Sequence, residues 1–134
     1  MDIVELGIFP GAYELRLRGD LLARLAGGAD ALLSGAPQAL READLERMIE
    51  RSEDWLMPSS KAMHGLALRV GEASGRLRVR LAGASRVAPD AVEHAFSDVL
   101  RDVSLGRPID RSLVADLVVL REMVHHGALT HVDL

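Results

Sequence analysis

Two stretches near the N-terminus alternate apolar and polar positions with a period of two, the pattern of a half-buried β-strand. From Ile3 to Phe9, Val4, Leu6 and Ile8 share one face while Glu5 and Gly7 take the other. From Tyr13 to Arg18, Tyr13, Leu15 and Leu17 are the apolar set. Phe9-Pro10-Gly11-Ala12 lies between them, with Pro and Gly at the centre of a turn. The pattern therefore predicts a hairpin in which Ile8 meets Tyr13, Leu6 meets Leu15, Val4 meets Leu17 and Glu5 meets Arg16. A type II turn twists against a tight hairpin, so a looser loop or a bulge is expected there.

The same alternation returns later. Leu66, Leu68 and Val70 precede Gly71-Glu72-Ala73-Ser74-Gly75, and Leu77, Val79 and Leu81 follow it. Folded about that Gly-flanked loop, the stretch predicts a second hairpin with Arg69 opposite Arg78 and with Arg76 and Arg80 beside them. Like charges directly opposite on a sheet destabilise it, so this face calls for water or an anion.

Between and after these stretches the apolar spacing is helical. Asp20 is placed to cap a helix carrying Leu21, Leu22, Leu25, Leu32 and Leu33, interrupted at Gly27-Gly28. A second helix follows Arg41, with Leu45, Met48, Ile49, Ser52, Trp55 and Leu56 on one stripe, and Met57-Pro58-Ser59-Ser60 is expected to end it. Pro89 fits the first turn of a third helix, which Gly106 ends. Asp110 caps a fourth, running to Gly127, whose wide apolar face marks it as the most buried. Ala128 to Leu134 is left as a short tail.

The expected fold is one α+β domain over residues 1–134: an antiparallel sheet of about four strands in two hairpins, with about four helices on its apolar face, in the order ββααββαα. Tyr13–Arg18 and Gly75–Arg80 resemble each other enough to raise the question of an internal duplication.

Composition adds limits. At 134 residues, 49% hydrophobic and 27% charged, the chain suits a globular domain rather than a disordered one. No apolar run approaches the ~20 residues of a membrane helix, and Met1-Asp2-Ile3-Val4-Glu5 has no signal-peptide character, so a cytoplasmic protein without membrane contact is expected. Cysteine is absent, which removes disulfides and thiolate chemistry. All the basic residues but Lys61 are arginine and asparagine is absent, a usage read as bacterial GC-rich coding. The net charge of −4 argues against general nucleic-acid affinity.

Candidate chemistry centres on arginine. If both hairpins join one sheet, its polar face gathers Arg16, Arg18, Arg69, Arg76, Arg78 and Arg80 against Glu5 and Glu14. Arginine forks suit carboxylate and phosphate, so Arg69, Arg76, Arg78, Arg80 and Arg16 are the candidate ligand- or partner-binding residues. RNA fits poorly, because no aromatic side chain joins that face to stack on bases. An acidic stripe, Glu42, Glu46, Glu50 and Glu53, could meet the arginines of a second copy. His125, His126 and His131 suggest metal at first sight. Adjacent helical residues point about 100° apart, however, and no His-Glu-x-x-His is present; histidines at a helix C-terminus complement its dipole instead. A metalloprotein using His125 and His131 is the lesser alternative, and neither a metal nor another cofactor is expected. With no nucleophile elbow and no phosphate-binding loop between strand and helix, the leading expectation is a non-enzymatic accessory or regulatory protein. It would act on another protein or on itself as a homo-oligomer. The alternative is a binding module, or an enzyme, for a small anionic ligand on an arginine-lined sheet face.

Overall fold

A computed structural model describes residues 2–134. The first hairpin forms in the register that alternation predicts. β1 (Ile3–Phe9) pairs antiparallel with β2 (Ala12–Leu17), setting Ile8 against Tyr13, Leu6 against Leu15, Val4 against Leu17 and Glu5 against Arg16.

The next element departs from expectation. Residues 20–26 form a third strand, β3 (Asp20–Ala26), antiparallel to β2, and only Ala29–Leu32 is helical (α1). Leu21, Leu22 and Leu25 satisfy helical spacing, but the free edge of β2 offers them a ladder of backbone partners. Gly27 and Gly28, both at positive φ, then turn the chain out of the sheet. Gly28 is packed so closely that a Cβ there would sit 3.0 Å from the Ala12 nitrogen.

α2 (Glu42–Met63) starts where the sequence places it, at Arg41, whose backbone N–H donates to Asp44 Oδ2 at 2.8 Å. Side-chain bonds from Arg41 hold the Asp44 carboxyl well below the usual carboxylate range. The helix runs on through Pro58 rather than ending there. A proline removes one hydrogen bond from a helix, and Leu56 and Met63, both buried, fix the turns on either side of it.

β4 (Ala67–Glu72) lies where alternation predicts a strand, but its partner is β1, in parallel, with Glu5 beside Arg69 and Leu6 beside Val70. The second hairpin does not form. Residues 76–80 are a short helix, α3 (Arg76–Arg80), entered through Gly75 in the left-handed region. Leu77 and Leu81 are both buried while Val79 is 78% exposed. Residues four apart share a helical face as well as a strand face, so the alternation is compatible with either state and Val79 is the residue that separates them. Arg69 therefore never faces Arg78. The resemblance of Tyr13–Arg18 to Gly75–Arg80 is not structural either, since one is strand and the other helix.

After α3 come β5 (Arg86–Val87), α4 (Pro89–Ser104), α5 (Arg111–Gly127) and β6 (Val132–Asp133). Both long helices begin and end close to the sequence signals. Pro89 opens α4, and Asp110 caps α5 by accepting from the Leu113 N–H at 3.2 Å. Val114 through Leu120 are all buried. The expected tail instead supplies β6, which pairs parallel to β4 and antiparallel to β5.

Among the described residues the result is a mixed six-stranded sheet in the order β3-β2-β1-β4-β6-β5, with five helices, not a four-stranded antiparallel sheet in ββααββαα order. Tyr13, on the apolar face, bonds to α5 through Asp116 and lies 6.3 Å from the Trp55 ring of α2, so both helices cover that face. Glu5, Phe9, Arg16 and Arg69, on the other face, are exposed. No helix is long and apolar enough to cross a membrane among the described residues.

Candidate functional site

Sheet topology directs attention to one place. β1 and β4 are parallel neighbours, and Ile8 at the end of one lies beside Glu72 at the end of the other. From β1 the chain turns towards β2 and β3; from β4 it moves on towards β6 and β5. Ligands of open α/β sheets bind outside the carboxyl ends of parallel strands at such a reversal of strand order.

A crevice of about 310 Å³ lies there. Ile8, Phe9 and Pro10 line it from β1 and its turn, and Ala73, Ser74 and Arg76 from the loop into α3. Ala29 and Asp30 contribute from α1, Ser112 and Asp116 from α5. Each element is positioned by a local interaction. Glu72 turns its carboxylate back to accept from the Leu77 N–H at 3.1–3.2 Å and from the Ser74 hydroxyl at 2.9 Å, which shapes the loop. Asp110 both caps α5 and accepts from Arg76 Nη1 at 3.1 Å, tying the loop to the helix start.

At the base lies Asp116, only 1% exposed. Tyr13 donates its hydroxyl hydrogen to Asp116 Oδ1 at 2.6 Å, and Arg76 Nη2 donates to Oδ2 at 3.4 Å. Burial is the largest influence on this carboxyl and raises it to about 6; the Tyr13 hydrogen bond and the Arg76 charge oppose the shift, and Glu72 and Asp110 add to it. The Tyr13 hydroxyl is pushed far above its ordinary value, by burial first and then by Asp116. The crevice thus holds a carboxyl able to gain or lose a proton near neutral pH, a guanidinium and the Ser74 hydroxyl.

The five arginines singled out from sequence do not form one face. Arg76 enters the crevice. Arg16 and Arg69 lie on the open side of the sheet and line a separate hollow of about 330 Å³ with Glu5, Gly7, Phe9, Glu14 and Gly71. Arg78, on α3, lines a third of about 210 Å³ beside Glu72 and Ser74, and Arg80 pairs with Asp102 at 3.9 Å. The open face is not the strongly positive surface expected. Across neighbouring strands the registered residues run Arg16, Glu5, Arg69, Asp133 and Arg86, alternating in sign, and Glu14 accepts from Arg16 at 3.1 Å. Opposite charges side by side on a sheet stabilise each other, so Asp133 of the sixth strand, together with the removal of Arg76, Arg78 and Arg80 to α3, takes away the excess charge that two isolated hairpins would carry.

Sequence reasoning missed Tyr13, Asp116, Asp30 and Ser112. Asp116 carried a usable signal, as an acidic residue inside the apolar run Leu113 to Val119 of the helix judged most buried. A charge at such a position has to be paired. Glu122, four residues before His126, carried another: acidic-to-histidine spacing within one helical face.

No protein-family description and no curated protein matches the sequence. The fold, by contrast, is found in solved structures. The chain is similar to a Ppx/GppA family member from Aquifex aeolicus, with a TM-score of 0.70 at 11% identity over 98% of this chain and 51% of that one. It is also similar to the type II variant of the Aquifex aeolicus Ppx/GppA phosphatase, with a TM-score of 0.72 at 10% identity over 98% and 52%. An exopolyphosphatase from Cytophaga hutchinsonii gives a TM-score of 0.65 at 11% identity over 98% and 52%. The chain spans about half the length of each of these proteins. This likeness overturns the expectation of a non-enzymatic accessory or regulatory protein acting through macromolecular contacts or self-association, which rested on the absence of a nucleophile, a metal set and a phosphate loop and on a polarised charge distribution; what the chain shares with these proteins is the fold of about half of each.

Proposed function

We propose that the chain, as one α+β domain, binds a small phosphate-bearing ligand in the crevice at the carboxyl ends of β1 and β4. The observation that carries this is the convergence of Arg76, Ser74 and the buried Asp116 at the point where strand order reverses. By exchanging its bonds to Asp110 and Asp116 the guanidinium can offer a planar fork to a phosphate oxygen pair, and the Ser74 hydroxyl can donate to the ligand by turning from Glu72. The description of the similar proteins as phosphatases, one an exopolyphosphatase, favours phosphate over carboxylate as the anion.

Charge refines the ligand. Asp110 and Asp116 bond to Arg76, Asp30 lines the same crevice, and Glu72 is linked to Arg76 through the Ser74 hydroxyl. A bare anion would be repelled, whereas a phosphate carrying Mg²⁺ would not, since Mg²⁺ keeps its waters and is bound through one or two carboxylates together with phosphate oxygens. Nucleoside triphosphate or short polyphosphate with Mg²⁺ is accordingly favoured over orthophosphate alone.

The test is thermal unfolding and calorimetry with phosphate, pyrophosphate, tripolyphosphate and ATP, each with and without Mg²⁺. A ligand at 100-fold excess over its Kd should stabilise the fold by about 2.7 kcal/mol. Arg76→Ala should abolish that gain, and Arg78→Ala should leave it. The proposal fails if none of these ligands stabilises the protein, or if the stabilisation persists in Arg76→Ala.

A further inference from the structure

A second cluster of ligating side chains lies between α2 and α5, away from the crevice. Glu122 and His126 stand four residues apart on α5 and share one of its faces, and Glu53 meets them from α2. His126 Nε2 lies 3.3 Å from Glu122 Oε1 and 3.8 Å from Glu53 Oε2, and the three ligand atoms fall within 4.8 Å of one another. Ligands bound at zinc distances to a tetrahedral ion are separated by roughly 3.3–3.4 Å. The Glu122–His126 pair already has that separation, and Glu53, whose side chain is 47% exposed, needs only a small movement to reach it.

Glu122 is buried. Its second oxygen accepts from Arg121 Nη1 at 3.0 Å, which leaves Oε1 turned to the imidazole. Arg121 is itself held by Glu93 at 3.1 Å and lies over the Phe96 ring. Outer hydrogen bonds of this sort fix the orientation of a ligating carboxylate.

We propose that Glu53, Glu122 and His126 form a binding site for a divalent transition ion of the zinc class that joins α2 to α5. One imidazole nitrogen with two carboxylates suits zinc or its neighbours better than Mg²⁺ or Ca²⁺, which favour oxygen alone. Three protein ligands leave a fourth position for water. Of the three histidines that suggest a metal at first sight, His126 belongs to the set, and His125 and His131 lie outside it.

Protein stripped with a chelator is titrated with Zn²⁺ and Co²⁺ by calorimetry and, for Co²⁺, by visible absorption. One equivalent should bind without competition from Mg²⁺, and the melting temperature should rise. Glu53→Gln, at a half-buried position, and His126→Ala should each weaken binding by more than ~100-fold, beyond the 10–100-fold that losing an outer partner costs. His131→Ala should bind as the parent does. The proposal is overturned if no stoichiometric ion binds, if binding survives both Glu53→Gln and His126→Ala, or if it is lost on His131→Ala.

Discussion

Replacing Asp116 by asparagine removes a buried charge while keeping an acceptor for the Tyr13 hydroxyl, and so isolates what that charge contributes at each pH. The folded carboxyl lies at about 6 against 3.8 for the free group. Between those values the folded state holds a proton that the unfolded state has released. Stability from this group is therefore greatest at low pH and falls as pH rises through the folded value. At 1.36 kcal/mol per unit, the loss across the window amounts to about 3 kcal/mol.

The assay is urea unfolding of the parent and Asp116→Asn from pH 4 to pH 8, compared as the difference between the two at each pH. Other carboxylates, such as Asp44, which strengthens the fold as pH rises, cancel in that difference. Part of that loss has already occurred at pH 4, so the parent should lose about 2.4 kcal/mol relative to the variant between pH 4 and 7 and then level off. Tyr13→Phe sharpens the result. It removes the hydrogen bond that most favours the charged form, so the fall should deepen by about 1.5–3 kcal/mol, the worth of a hydrogen bond to a charged group. A difference that stays flat from pH 4 to 7 would refute the raised carboxyl and, with it, the proton-holding part of the crevice.

Two further outcomes test the departures from the alternating pattern. Leu77→Ala should cost about 2–5 kcal/mol, as deletions in packed cores do, whereas Val79→Ser should stay within about 0.5 kcal/mol; equal costs in denaturant titration would return residues 76–80 to a strand. Gly28→Ala should destabilise by about 1–3 kcal/mol, because a side chain there meets both the Ala12 backbone and a dihedral combination reserved for glycine (φ +55°, ψ −127°); a change of only a few tenths would contradict the turn geometry.

Local pattern was sufficient wherever one interaction range governed. The hairpin of β1 and β2, its register, the caps at Pro89 and Asp110 and the burial of the last long helix all follow from residues within a few positions of one another. It was insufficient where one pattern satisfies two structures. Leu21, Leu22 and Leu25 fit a helix until β2 presents an unpaired edge, and Leu77 and Leu81 fit a strand or a helix alike. Val132 and Asp133, too short a segment to register as a strand, become one because β4 and β5 flank them.

The candidate site follows the same division. Sequence by itself determined that arginine would be the prominent polar chemistry, that thiol chemistry was absent, and which residues would line a core. Only tertiary structure decided that Arg76 alone, of the five arginines, would meet Tyr13 and Asp116, which are 103 positions apart in the chain. Only tertiary structure placed Arg16 and Arg69 among compensating acids. The physical reason is that alternation records which face of a strand is buried but not which strand lies beside it. Parallel pairing of β1 with β4, set by crossover helices and not by a turn, is what creates the crevice.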